Sequence, residues 1–429
     1  MLDVLRRELG PHAVLPATQA WSVAARPPIA VLQPEHVDQV AAVLGVCTQE
    51  GIAVEAAGAG TWLSRGPAYD RDYLVLSTAR MNDVIEYEPE DLTLGVQAGM
   101  PLHRLQQLVA TNGQTIALDP PAHRDATIGA VAALASAGPL RCGYGTPRDQ
   151  VLGLDAVTGD GRVLQVGGRV VKNVAGYDVT RLLVGSRGTL AVLTRVNLRL
   201  RPLPQHDVTW TIPADEPAQL LDLADTLYEA PLEPAAVELL RDGKGWQLAV
   251  RVHGNGEAIA HSRSVLTGAG AGVTELSAKH AQQFWQHLLD AEAAAPLYLR
   301  VSHLRTELPE LVKRAAELLS LSQKRGTAEQ GSLGANTRIL VHVNDGMVRL
   351  CVDAAANGDR DVNTLAARLR AFRDAVVGIG ATVLVPALPT EMDGALPRHT
   401  PIGDELRLMQ GVKRVLDPAG VLGPGRFVL

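Results

Sequence analysis

KNVAGYDVTRLLVGSRGTLAVLTRVNLRLRP, residues 172–202, holds three structural changes in quick succession. A loop broken by glycine, Ala175-Gly176-Tyr177-Asp178, runs into a short amphipathic helix at 178–184. A second turn follows, Gly185-Ser186-Arg187-Gly188-Thr189. The chain then alternates as a long strand, with Leu190, Val192, Val196, Leu198 and Leu200 apolar and Thr194, Arg195, Asn197, Arg199 and Arg201 largely polar. Glycines at a turn that opens a strand let backbone approach a flat or anionic ligand closely, because no Cβ intervenes.

Upstream, three further stretches carry chemistry. Ala57-Gly58-Ala59-Gly60-Thr61-Trp62 joins the end of a strand to a polar segment. Successive backbone N–H groups there can point at one spot and hold a pyrophosphate, although an ordinary tight turn explains the residues equally well. A dinucleotide fingerprint is excluded, because Leu63 stands where its last glycine is required. Asp119-Pro120-Pro121 through Thr127-Ile128-Gly129 is an extended entry to a small-residue helix over 127–137, capped by Asp125 or Thr127. Its N–H groups suit an anionic or carbonyl-rich ligand, but close packing on a sheet accounts for the same small residues. The third stretch is Arg141-Cys142-Gly143-Tyr144-Gly145-Thr146-Pro147-Arg148-Asp149, in which Arg148 and Asp149 are expected to form an ion pair.

Together these stretches resemble, in order, the vanillyl-alcohol-oxidase/PCMH flavoproteins. The wording KNVAGYD–TRL–GS–GTL is closest to the flavin subunits of bacterial glycolate oxidase, the E type above all. The resemblance runs from about Ile29 to Pro204 and resumes in KRVLDPAGVLGPGRF at the C-terminus. It implies FAD held without a covalent bond: 56–66 contain no histidine, and Cys142 sits outside the context in which a cysteine attaches flavin. The implied contacts are Ala57, Gly58, Ala59, Gly60, Thr61 and Trp62 for the diphosphate. Asp119, Pro120, Thr127, Ile128 and Gly129, with Leu134, Ala135, Ser136, Ala137 and Gly138 along the helix, follow for the ribityl and ring. Tyr144 and Gly145 lie along the flavin, and Gly188, Thr189, Leu190 and Val192 meet its flavin and adenine ends. This chain departs from the family pattern at Ala57, Ala59, Ala130, Arg187, Ala191 and Gly423.

The fold expected is α+β. A two-lobed PCMH-type FAD-binding domain spans 1–204, a cap spans 205–403, and a C-terminal segment, 404–429, returns to the first domain. Within the cap, strands and helices read βαββαβ over 207–277 and again over 297–386, as in two ferredoxin-like units in tandem. The tract 322–336 reads as a mobile loop. The cap lacks the GH-x-x-DGN-x-H string with which D-2-hydroxy-acid dehydrogenases of the superfamily hold a metal. His253-Gly254-Asn255-Gly256 has no second histidine at the right spacing, so no metal is expected. No acid–base cluster is legible; His253, His303, His342, Arg398 and His399 remain as candidates for a base.

Composition fits this reading. Of 429 residues, 46% are hydrophobic and 20% charged, which is globular, and the length exceeds one typical core. Net charge is −6 without a basic run, which excludes a nucleic-acid surface. Cys47, Cys142 and Cys351 are far apart, as suits a reducing compartment, and no export signal or membrane span is visible. The expectation is a cytoplasmic oxidoreductase, peripheral at the inner membrane through its partners. The resemblance implies an FAD subunit that works on a small 2-hydroxy acid with a D-type flavoprotein and an F-type iron–sulfur subunit in glycolate catabolism. The alternatives are a stand-alone FAD-dependent 2-hydroxy-acid or alcohol dehydrogenase and a non-catalytic flavin scaffold.

Overall fold

Helical stripes and alternating strands sort into two units in a computed structural model of the chain. It describes all residues except 123, 125, 169–176, 231, 242–244, 270–271, 321–336, 353–361 and 427–429. The first unit comprises 1–138, 145–203 and 402–429; the second comprises 139–144 and 204–401. Lys172, Asn173 and Gly176 of the opening string, Asp125 and the tract 322–336 lie outside the described residues.

The first unit has two lobes. In one, four strands lie in the order Val14–Pro16, Ala30–Leu32, Tyr73–Ser77, Ala53–Ala57, the last three mutually parallel. A parallel connection needs a crossover. Val37–Glu50 provides it, and buries Val40, Val43, Leu44 and Cys47 at helical spacing. Gly51 ends this helix at φ 67°, its N–H returning to the Cys47 carbonyl. The other lobe is a five-stranded antiparallel sheet, Val84–Glu88, Thr93–Gln97, Ala191–Arg199, Val151–Thr158, Val163–Gly167.

The strand Ala191–Arg199 departs from simple alternation. Its register shifts between Leu193 and Arg195 and again between Asn197 and Leu198. Val192 packs in the core of the first lobe with Val54, Leu76 and Leu422, whereas Ala191 and Leu193 pack in the core of the second. A strand buried on both faces has no polar side to show, and the bulges restore the phase further on.

The second unit bears out the duplicated cap. Eight antiparallel strands lie in the order Thr274–Glu275, His206–Ala214, Trp246–Gly254, Pro234–Arg241, Arg338–His342, Met347–Val352, Leu297–Ser302, Thr382–Ala387. Each half is βαββαβ, and the halves join edge to edge where Pro234–Arg241 pairs with Arg338–His342. The edge Thr274–Glu275 is shorter than its sequence suggests, pairing only at Trp210 and Thr211. Helices Pro217–Glu229, Gly256–Ala269, Leu308–Ser320 and Val362–Val377 contribute to one large apolar core. Helix Ala278–Ala294 builds a smaller core in which Trp285, Leu288 and Leu289 meet Ala236, Ala249, Tyr298 and Leu340.

A buried ionic cluster lies at the join. Glu238 and His342 are register partners and bond to each other. Arg349 bonds to Glu238 and, at 2.5 Å, to Glu292, which also accepts from the Tyr298 hydroxyl at 2.6 Å. All five side chains are buried. Burial, with the charges of Arg349, Arg141 and Arg300, keeps His342 far below the usual imidazole range.

Candidate functional site

Three of the stretches read from sequence meet within the first unit. A Cβ at Gly58 would lie 1.9 Å from Thr127 Oγ1, so the turn after strand Ala53–Ala57 rests directly on the helix N-cap. Thr127 caps helix Ile128–Leu134, its Oγ1 accepting from the Ala130 N–H at 3.4 Å. The next glycine of this helix fits as closely: a Cβ at Gly129 would lie 2.6 Å from that of Ala98, while its N–H donates to the Ala98 carbonyl at 2.8 Å. Gly60 has φ 84°, which a branched side chain does not adopt, and Trp21 and Leu63 stand at 3.3 Å from where its Cβ would be. The N–H groups of Gly58, Ala59 and Gly60 have no acceptor among the described residues.

The helix is shorter than its composition implies. It stops at Leu134 because Ala135 turns left-handed at φ 47°. The N–H of Ala135 then reaches the Ala132 carbonyl and that of Ser136 the Val131 carbonyl, a Schellman closure. Ala135, Ser136 and Ala137 are thus half-buried backbone beyond a helix end, not a helix face. Gly185 donates to Ala132 O at 3.0 Å and Arg187 to Ala133 O at 2.7 Å. The turn that opens the long strand therefore completes the cap of this helix. Arg187 and Gly188 both have positive φ, 58° and 72°, and Thr189 N–H closes on Ser186 O, as in a type I′ turn. A Cβ at Gly188 would lie 3.0 Å from that of Ala56, and one at Gly138 would lie 2.0 Å from Asp119 O. The candidates Pro120, Ile128, Trp62, Leu190 and Val192 are buried, with their side chains committed to packing.

The Arg141–Asp149 stretch is divided between the units. Gly145, at φ 79°, leads into a turn in which Thr146 N–H and Oγ1 donate to Asp149 Oδ2 at 2.8 and 2.9 Å. Asp149 is thus a capping carboxylate rather than the partner of Arg148. The short helix Arg141–Tyr144 belongs to the second unit, where a Cβ on Gly143 would come within 2.9 Å of Ala235 Cα. Arg141 pairs with Asp345 at 2.6 Å. Burial, reinforced by Asp345 and Glu238, pushes the Cys142 thiol up to about 12. Tyr144 hydroxyl lies 2.8 Å from His253 Nδ1.

Sequence reasoning missed how the C-terminal segment locks the site. Lys413 Nζ, at the end of helix Glu405–Leu416, donates to Thr189 O, Leu422 O and buried Asp417 at 2.6–2.7 Å. Asp417 in turn accepts from Val421 and Leu422 N–H. Val54 N–H donates to Val421 O at 2.7 Å and Gly423 N–H to Val54 O at 2.9 Å, so the tail extends the first-lobe sheet. Arg426 pairs with Glu55 at 3.1 Å and also bonds Leu63 O. The LDP–GVL spacing carried that signal, since only folding brings Asp417 back to its own tail.

In the second unit the five candidate bases separate. His342 is sealed in the ionic cluster. His303 accepts from Leu304 N–H and donates to Ile379 O at 2.7 Å. Arg398 pairs with Asp393, and His399 meets Thr400 O. His253 is the last residue but one of strand Trp246–Gly254, and Asn255 after the strand caps the next helix by accepting from Ala258 N–H. Among the described residues no group of three or more His, Cys, Asp or Glu is placed to hold a metal.

Comparison with known proteins agrees with this geometry. Residues 28–167 match a model of an FAD-binding domain, and residues 398–427 match the C-terminal domain of FAD-linked oxidases. These two stretches are thus similar to the FAD-binding and C-terminal domains of FAD-linked oxidases. FAD is the cofactor of the chain. The turn whose three N–H groups have no acceptor among the described residues fits the diphosphate of that group. Glycolate oxidase subunit GlcD of Bacillus subtilis is 32% identical over 213 residues, which are 50% of this chain and 45% of that one. Glycolate oxidase subunit GlcE of Escherichia coli is 32% identical over 49% of this chain and 56% of its own. D-2-hydroxyglutarate dehydrogenase of Xanthomonas citri pv. viticola is 28% identical over 93% of this chain and 89% of its own. The chain therefore matches only about half the length of the two glycolate oxidase subunits. Crystalline p-cresol methylhydroxylase superposes with a TM-score of 0.75 at 15% identity, over 99% of this chain and 95% of that one, and shares the fold. No described helix is long and apolar enough to cross a membrane.

Proposed function

We propose that this chain is the FAD-binding subunit of a glycolate-oxidase-type complex that oxidises a small 2-hydroxy acid. Its partners in this reading are a D-type flavoprotein and an F-type iron–sulfur subunit that receives the electrons. The observation that carries it is the meeting of Gly58 with Thr127 and of Gly185 and Arg187 with the carbonyls of Ala132 and Ala133. Segments far apart in sequence, each suited to a flavin nucleotide, form one packed region, and both glycolate oxidase subunits match about half of the chain.

FAD held there would supply two-electron redox chemistry, and the protein would supply position and polarity. The N–H groups of Gly58, Ala59 and Gly60 receive the diphosphate. Thr127, Gly129, the Leu134–Gly138 backbone and Gly145 line the ribityl and ring, and Gly188 and Thr189 complete the site. Asp119 and Pro120 shape its wall from behind Gly138. The flavin is held without a covalent bond.

A second reading is favoured by the near end-to-end match to D-2-hydroxyglutarate dehydrogenase: a stand-alone dehydrogenase. Anaerobic mixing of the purified chain with glycolate, D-lactate or D-2-hydroxyglutarate tests both. Bleaching of the flavin band only after partner subunits are added supports the complex. Rapid bleaching of the chain alone, at the ~1–10³ s⁻¹ of ordinary turnover, supports the stand-alone enzyme. A flavin that no 2-hydroxy acid reduces under either condition leaves a flavin scaffold.

A further inference from the structure

Gly60 is touched by two side chains, and one buried network of the first unit holds both. A Cβ on Gly60 would stand 3.3 Å from Trp21 Cζ3 and 3.3 Å from Leu63 Cδ1, so the indole and the leucine rest against the glycine backbone. Trp21 is half-buried and packs, with Ala57, on the core formed by Val23, Leu63, Tyr69 and Tyr73. It lies before residue 28, where the match to an FAD-binding domain begins.

The chain just after Trp21 forms a two-residue hairpin. Val23 and Arg26 exchange both backbone N–H···O bonds, at 3.0 and 2.9 Å, across Ala24 and Ala25, whose φ values are 44° and 68°. Asparagine and glycine adopt such a pair of left-handed positions readily; two alanines do so only under strain. The buried Tyr73 hydroxyl keeps the hairpin closed, accepting from Val23 N–H at 3.0 Å and donating to Arg26 O at 2.5 Å. The Arg26 guanidinium adds bonds to Tyr69 O at 2.7 Å and to Asp72 at 3.0 Å. Tyr69 stacks on Tyr73 with ring centres 4.4 Å apart, and its hydroxyl donates to Glu55 Oε2 at 2.5 Å. The other oxygen of Glu55 takes Arg426, which also donates to Leu63 O at 3.3 Å. Gly66 leaves room for this arginine, since a Cβ there would stand 2.4 Å from its Nη1. The path thus runs from the hairpin through two tyrosines and an ion pair to Leu63, the second side chain on Gly60.

We propose that Trp21 is a positioning residue for the diphosphate of FAD, and that the Val23–Arg26 hairpin is the brace that holds it there. The inference rests on the assignment of the Gly58–Gly60 turn to that diphosphate. Glycine has more backbone freedom than any other residue, so its N–H keeps one direction only where its surroundings fix φ. Trp21 and Leu63 fix Gly60 at φ 84°, and its N–H has no acceptor among the described residues. N–H groups already aimed at the anion bind it without a further ordering cost.

Binding of three ligands to the full chain stripped of flavin tests this. Trp21→Ala frees Gly60, and re-ordering one glycine at each binding event should weaken FAD and ADP about ten-fold. Riboflavin, which carries no diphosphate, should change less than about two-fold. Trp21→Phe keeps a ring against Gly60 and should stay within about three-fold of wild type for all three ligands. Tyr73→Phe loosens the strained hairpin without altering Trp21 itself, and it should weaken ADP in the same direction. Adding Ala25→Gly, at an exposed position where glycine relieves the strain, should restore the affinity. Wild-type ADP affinity in Trp21→Ala, or a loss shared equally by riboflavin, would overturn the proposal. If Trp21→Ala does not fold, the Tyr73 variants decide: wild-type ADP affinity in Tyr73→Phe, or a defect that Ala25→Gly leaves unchanged, would overturn it as well. Gly60→Val separates this from failure of the underlying assignment. If Gly60→Val binds ADP as wild type does, the turn is not the diphosphate site, and the role of Trp21 falls with it.

Discussion

Gly58 and Thr127 compete for the same space: a methyl group on Gly58 would stand 1.9 Å from Thr127 Oγ1, 2.8 Å from its Cγ2 and 2.9 Å from its Cβ. All three clashing atoms belong to one side chain, so the conflict can be removed by a second substitution. Gly58→Ala should cost about 1–3 kcal/mol, the usual range for overpacking, and should lower FAD content. Thr127→Gly alone should cost only a few tenths, since glycine is tolerated at an N-cap. The double variant should recover most of the stability lost in Gly58→Ala. Urea unfolding and flavin-to-protein ratios of the three variants check this; a double variant as unstable as Gly58→Ala would mean that Thr127 is not what excludes a side chain at 58.

Flavin should leave the polypeptide when the protein is denatured in acid. Burial keeps the Cys142 thiol protonated, with Asn344 Nδ2 donating to its sulfur at 3.0 Å, and a thiol at about 12 is a poor nucleophile at neutral pH. Acid precipitation should give a yellow supernatant and a colourless pellet, and Cys142→Ala should retain its FAD. Flavin fluorescence that stays with the denatured band on a gel would show a covalent link.

What the sequence made legible follows from the range of the interactions. The duplicated βαββαβ cap was readable because periods of 2 and 3.6 are written locally, as in Trp246–Gly254 and Val362–Val377. The end of helix Ile128–Leu134 was not. Its residues are good helix formers, and it stops where Gly185 and Arg187, distant in sequence, take the carbonyls of Ala132 and Ala133. The glycine turns were readable as places of close approach, but a single sequence does not say what approaches. At Gly58 it is Thr127, and at Gly188 it is Ala56. The Tyr144–His253 pair spans 109 residues and leaves no motif.

Removing the cation from the buried cluster should be severe. Arg349→Met leaves Glu238 and Glu292 without their common partner in a sealed site, and breaking such a cluster from one side costs about 3–5 kcal/mol. The two units have separate cores, so unfolding need not be one transition. The loss should appear in the step reported by Trp210, Trp246 and Trp285 of the second unit. A stability change below about 1 kcal/mol would mean that the glutamates are protonated or find other partners.

Asp207 should make stability depend on pH. Burial raises its carboxyl, but the hydrogen bonds and charges of Arg251 and His253 outweigh that and hold it well below the usual carboxylate range. The folded state therefore binds this proton less readily than the unfolded chain, whose aspartate titrates near ~3.9. The sign follows from linkage: the contribution is fully present above the unfolded value and is lost as pH falls toward the folded one. Wild type should exceed Asp207→Asn by a constant margin in urea midpoint at pH 6 and pH 5. The margin should narrow between about pH 4 and pH 3, as unfolded aspartate takes up its proton. The side chain is partly exposed, so added salt should reduce the margin at pH 6 as well. A margin that widened on acidification would mean that the folded carboxyl is raised, and that Arg251 does not hold it as the fork-like contacts indicate.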